Sequence, residues 1–115
     1  MKIQYLEIVT PDVDATCATY AAAHGGEFGG PEPSLGNART LALPDGGRVG
    51  VRAPMHESES PVVRPYWLVK DIQASVQAAV EHGAQVAHPP LEIPGHGTFA
   101  ITILGGIHHG MWQNP

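Results

Sequence analysis

A chain of 115 residues is long enough for one domain with a sizeable core and too short for two independent ones. Its apolar share of 43% and charged share of 15% are those of a folded globular protein, which excludes a disordered chain. Six Lys and Arg against a net charge of -5 exclude nucleic acid and an anionic membrane surface as expected partners.

The opening residues Met1 to Tyr5 lack the apolar run of a signal peptide. No stretch approaches the roughly 20 apolar residues that cross a bilayer. Cys17 stands alone, so neither an intrachain disulfide nor a cysteine zinc cluster can form. The expectation is a reduced, cytoplasmic protein in which Cys17 packs as a small hydrophobe.

In chain order, a β-rich run over Ile3 to Thr10 leads to Asp12, placed as a helix N-cap. Val13, Cys17, Tyr20 and Ala21 then form the apolar stripe of a helix of about three turns, which Gly25 ends. A short strand is predicted around Gly26 to Gly29, followed by a Pro-rich loop. Strands at Arg39 to Leu43 and Val49 to Ala53 flank Asp45-Gly46-Gly47, which suits a tight hairpin. The polar segment Pro54 to Pro61 lacks periodicity and reads as a linker, not a functional loop.

After the linker the pattern starts again. Val62 to Val69 is β-rich, and Asp71-Ile72-Gln73-Ala74-Ser75 echoes Asp12-Val13-Asp14-Ala15-Thr16. Ile72, Val76, Ala79 and Val80 repeat the helical stripe, His82-Gly83 repeats His24-Gly25, and Pro89 repeats Pro31. A short strand at Ala84 to Ala87, a Pro-rich loop, and strands at Thr98 to Ile103 and Ile107 to Trp112 around Gly105-Gly106 complete the second copy. The chain is therefore read as an α+β fold of two tandem βαβββ modules, about 1–55 and 62–113, joined by the linker 54–61. Their curled mixed sheets are expected to enclose a central cavity, the usual setting of a small-molecule site.

This arrangement resembles the glyoxalase, bleomycin-resistance and extradiol-dioxygenase proteins, the vicinal oxygen chelate superfamily, over nearly the whole chain. The resemblance rests on Tyr5-Leu6-Glu7-Ile8-Val9-Thr10-Pro11-Asp12, on Tyr66-Trp67-Leu68-Val69-Lys70-Asp71-Ile72, and on the tail Gly106 to Gln113. It implies the fold of a small glyoxalase-like member, but not a reaction, because the superfamily hosts lyases, dioxygenases, epimerases and sequestering proteins.

Metal-dependent members take ligands from the first and last strand of each unit. Carried over, that pattern falls on Tyr5, Val51, Arg64 and Gly110, none of them a strong divalent-metal ligand. The expectation is no cofactor, with a divalent metal ion as the alternative. Its fallback ligand set is Glu7, His96 and His108. His108 and His109, being adjacent on a strand, point to opposite faces, so at most His108 faces a pocket. His24, His56, His82 and His88 are read as non-functional.

Glu7 is the leading catalytic candidate, because an acid within an apolar strand is costly to bury unless it is paired. It would act as a general base or an acceptor, or else form a structural salt bridge to Arg64 or Arg39. Arg64 could clamp a carboxylate, and Tyr66 could stack or donate on the same strand face. Tyr5, His96, His108 and Trp112 complete the candidate ligand-binding set, while Arg48 and Arg52 are expected at the solvent face. The leading function is metal-free binding of a small apolar or aromatic molecule, in a homodimer that covers exposed sheet edges. The alternatives are a metal-dependent lyase or dioxygenase, and a metal-free isomerase or hydroxylase-like enzyme using Glu7 as acid or base.

Overall fold

A computed structural model describes residues 1–115. The chain divides into two compact units, one of Tyr5–Val63 and one of Arg64–Pro115 together with Met1–Gln4. Each is a mixed sheet with one helix, the α+β class expected.

The first unit holds β1 (Ile3–Val9, from Tyr5 on), α1 (Val13–His24), β2 (Pro31–Glu32), β3 (Ala38–Ala42) and β4 (Arg48–Arg52). Strand β1 runs parallel to β4, and β3 pairs antiparallel with both β4 and β2. Alternation sends Leu6, Ile8, Val49, Val51 and Leu41 to the helix side, where they pack with Val13, Cys17, Tyr20 and Phe28. The face opposite the helix therefore carries Tyr5, Glu7 and Val9 beside Arg48, Gly50 and Arg52.

The second unit holds β5 (Val62–Leu68, from Arg64 on), α2 (Ile72–Glu81), β6 (Gln85–Ile93), β7 (Gly97–Leu104) and β8 (Ile107–Gln113). Its pairing repeats the first: β5 runs parallel to β8, β8 antiparallel to β7, and β7 antiparallel to β6. Ile72, Val76, Ala100, Val69 and Met111 form its helix-side core. Lys2 belongs to this unit, its carbonyl accepting from the Leu68 N–H at 2.7 Å.

The helix ends differ between the copies. Asp71 caps α2, its Oδ1 accepting from the Ala74 N–H at 3.1 Å, and Gln113 Oε1 accepts from the Ile72 N–H at 2.8 Å. Asp12 makes no side-chain cap bond. The β7–β8 turn has positive φ at both Gly105 and Gly106, as a two-residue primed hairpin demands.

Two predicted segments need correction. Residues 26–29 are not a strand; the glycine-rich run pairs only where the Gly29 N–H donates to the Thr40 carbonyl, and the short edge strand comes later, at Pro31–Glu32. The predicted loop after Ala87 does not exist, because β6 runs on through Pro89 and Pro90. Register shifts on both sides of His88 absorb the missing N–H donors, and β6 is paired on one side only within its unit, where proline is tolerated.

Candidate functional site

On the first unit's face opposite the helix, β4 supplies Arg52, and its guanidinium bridges two carboxylates. Nε donates to Glu7 Oε2 at 2.8 Å, while Nη1 and Nη2 donate to Glu59 Oε1 and Oε2 at 2.9 and 2.7 Å. Glu59 Oε1 also accepts from the Met55 N–H at 2.7 Å, which ties the 54–61 segment to the sheet. The Arg52, Glu7 and Glu59 side chains keep only 7%, 13% and 16% of their exposure, so this is a mostly buried ionic triad. The paired Arg52 bonds, with the Met55 amide behind them, hold the Glu59 carboxyl down at about 2.

Beside the triad, the Tyr5 phenol lies across Gly50. A Cβ at Gly50 would sit 1.7 Å from the Tyr5 hydroxyl, so only glycine admits the ring there. Burial, reinforced by the Glu7 carboxylate and partly offset by Arg48 and Arg52, holds the Tyr5 hydroxyl well above its usual range. At neutral pH it is a proton donor. Arg48 reaches the Thr40 hydroxyl on the same face. The face thus carries a phenol donor, a carboxylate acceptor and the exposed Arg48 guanidinium beside the engaged Arg52, groups able to orient a polar small molecule or to exchange a proton with it.

On the second unit's equivalent face, Tyr66 covers Gly110, where a Cβ would come within 2.5 Å of the ring. Tyr66 packs edge-on to Phe99 and Trp112, with centroids 6.2 and 6.0 Å apart, and His88 lies 4.7 Å from Phe99. Trp112 Nε1 donates to the His96 backbone carbonyl at 3.2 Å. Arg64 shares the strand face of Tyr66, two residues away.

Three sequence expectations change here. Arg52, expected at solvent, is 6% exposed. A Glu7 salt bridge runs to Arg52, and Arg39, one of the two expected partners, pairs instead with Asp14 at 2.8 Å. The 54–61 segment, read as a mere linker, delivers Glu59. Sequence reasoning missed Glu59 and Arg52, although Arg52 shares the two-residue period of Arg48 and Gly50, which was a usable signal.

No group of three or more His, Cys, Asp or Glu is placed to hold an ion. His108 and His96 lie at opposite ends of the second sheet, His108 beside Ile103 and His96 before Gly97. Val51, one of the positions carried over for a ligand, is wholly buried on the helix side. Gly50 takes the place on the Tyr5 face and has no donor atom. His109 turns to the helix side opposite Thr102, so the two adjacent histidines do face apart. His56, His82 and His88 each have a ring nitrogen within 2.9 Å of a nearby chain oxygen.

Two copies of βαβββ with this pairing define the vicinal oxygen chelate, or glyoxalase-like, fold. Among solved structures, a hypothetical protein from Bacillus halodurans matches with a TM-score of 0.79 at 16% identity, over 99% of this chain and 94% of that one. A methylmalonyl-CoA epimerase from Streptomyces coelicolor, in complex with 2-nitronate-propionyl-CoA, matches with a TM-score of 0.74 at 18% identity over 99% and 97%. The methylmalonyl-CoA epimerase of Mycobacterium tuberculosis gives 0.77 at 15% identity over 98% and 87%. In sequence the chain is similar to "Putative glyoxylase CFP32" of Mycobacterium tuberculosis and of Mycobacterium bovis, 30% identical over 95% of this chain. It spans 44% of the length of each. No family model matches. The chain therefore has the glyoxalase-like fold, and no helix in it is long and apolar enough to cross a membrane.

Proposed function

We propose that the chain binds a small organic molecule against the Tyr5–Glu7 face of its first sheet, without a resident metal ion. The observation that carries this reading is the buried Glu7–Arg52–Glu59 triad beside a desolvated phenol, an expensive polar arrangement on a face that packing alone would fill with apolar side chains. The chemistry of the carried-over positions Tyr5, Val51, Arg64 and Gly110, none of them a strong divalent-metal ligand, motivates the metal-free part. In the second unit Tyr66 and Trp112 are buried and pack edge-on against each other, and Arg64, on the strand of Tyr66, is the candidate clamp for an anionic group. The glyoxylases and epimerases to which the chain is similar act on small molecules by name, in line with this reading.

A second reading makes Glu7 the acid or base of a metal-free isomerase. It is favoured by the Tyr5 hydroxyl, held as a donor on the same face as the Glu7 carboxylate. Glu7→Gln separates the two. A binding protein loses ligand affinity with the carboxylate, whereas an isomerase keeps affinity and loses turnover. Elemental analysis of protein purified without chelators tests the metal-free part: a stoichiometric divalent ion that disappears in Glu7→Gln would overturn it.

We further propose a homodimer in a reducing compartment. The thiol of Cys17 is free and buried, and burial pushes it above the ordinary thiol range, as suits a small packing residue that stays reduced. The β6 edge exposes Val86 and Leu91, apolar surface that a second copy would cover. A monomer by light scattering would refute the dimer.

A further inference from the structure

The first unit contains a cavity on the helix side of its sheet, separated by the sheet from the Tyr5–Glu7 face. It lies where α1 ends, with a volume of about 390 Å³. That falls in the lower part of the roughly 300–1,000 Å³ range of small-molecule sites. Its walls are Tyr20, His24, Phe28, Leu41, Leu43 and Val49. No carboxylate, lysine or arginine lines it. Tyr20 and His24 meet edge-on at 5.5 Å and form one aromatic wall, and Phe28 stands among the other lining residues.

The local sequence explains why this space is not filled. Cys17 is the only buried residue of α1, so the helix covers the sheet tightly only near its middle. Beyond His24 the chain turns away through Gly25 and Gly26, both at positive φ, and Gly25 has open space where a side chain would be. Gly26 rides so close over Leu41 that a Cβ would sit 2.7 Å from its Cδ1. The backbone therefore borders the space without occupying it.

The internal repeat shows that the aromatic walls are particular to this copy. Tyr20 corresponds to Ala79 and Phe28 to Val86 in the second unit. There Val86 and Leu104, the latter corresponding to Leu43, lie 44% and 51% exposed. The aromatic side chains of the first copy wall a space that the small residues of the second would leave open.

We propose that this cavity is a second ligand site, for an uncharged one- or two-ring aromatic compound. Aromatic walls favour edge-to-face contact with a ring, and the lack of a carboxylate, lysine or arginine in the lining penalises an ionic ligand. The imidazole of His24 offers one hydrogen bond to a hydroxyl on the ring.

The test uses 1-naphthol and the full chain with labelled Leu and Val methyl groups, followed by NMR. The expected result is saturable binding at one molecule per chain, with shifts centred on Leu41, Leu43 and Val49. Leu43→Trp, which places an indole in the space, should abolish those shifts. Shifts centred on Val9 instead, which lies on the opposite face, would overturn the proposal, as would no saturable binding or saturable binding undiminished in a folded Leu43→Trp. The methyl map of the unmodified chain decides the matter alone if Leu43→Trp does not fold.

Discussion

The Arg52 guanidinium and the Glu59 carboxylate meet through two parallel hydrogen bonds of 2.9 and 2.7 Å, across a segment with no regular secondary structure. This fork-to-fork contact makes residues 54–61 part of the first unit and fixes the cation that also holds Glu7. Removing Arg52 would take the shared cation from two mostly buried carboxylates. Arg52→Leu is therefore expected to cost about 3–5 kcal/mol in urea unfolding, the range for breaking a buried pair from one side. A cost below about 1 kcal/mol would show that the triad is solvated like a surface bridge.

The same contact sets a pH dependence. The folded Glu59 carboxyl sits at about 2, below its ordinary 4.5. A depressed folded value stabilises the protein above the unfolded value, and the gain is lost as pH falls from about 4.5 towards 2. Thermal unfolding followed across this window should show stability falling in the native chain. The fall should be visibly shallower in Glu59→Gln, which has no proton to take up there. Parallel curves would remove Glu59 as the cause.

Gly50 is expected to tolerate no side chain while Tyr5 keeps its place. Gly50→Ala should cost about 1–3 kcal/mol by overpacking, because the phenol must leave its position. In a Tyr5→Ala background the same substitution should cost clearly less. Equal costs in both backgrounds would mean that the ring is not what Gly50 accommodates.

The two helix caps give a paired prediction. Asp71→Ala should destabilise by about 1 kcal/mol through loss of the bond to the Ala74 N–H. Asp12→Ala should cost less, because Asp12 makes no such bond. Chemical denaturation of both variants checks the order, and a larger cost at Asp12 would contradict it.

The duplication was legible because its signals are local: the Asp-led helical stripes, the glycine stops and the paired hairpin glycines. Strand parity was legible too, and it placed Tyr5 with Glu7 and set His108 apart from His109. The Glu7–Arg52 pair was not, since Arg52 lies 45 residues away and pairing depends on the register of β1 against β4. Glu59 was harder still. It sits in an aperiodic stretch whose local chemistry looks like solvent-facing chain, and only the Arg52 fork gives it a fixed place. Pro89 and Pro90 misled for a related reason, because proline forbids a ladder bond only on the side that has a partner.

The central claim is that the Tyr5–Glu7 face is a small-molecule site needing no metal. Its most direct measurement is an NMR titration of chelator-stripped, labelled protein with a hit from a thermal-shift screen of aromatic metabolites. The account predicts saturable shifts at the Gly50 amide and the Val9 methyls in the absence of any divalent ion. Binding that appears only when a divalent ion is restored, or that leaves Gly50 and Val9 unmoved, would contradict it.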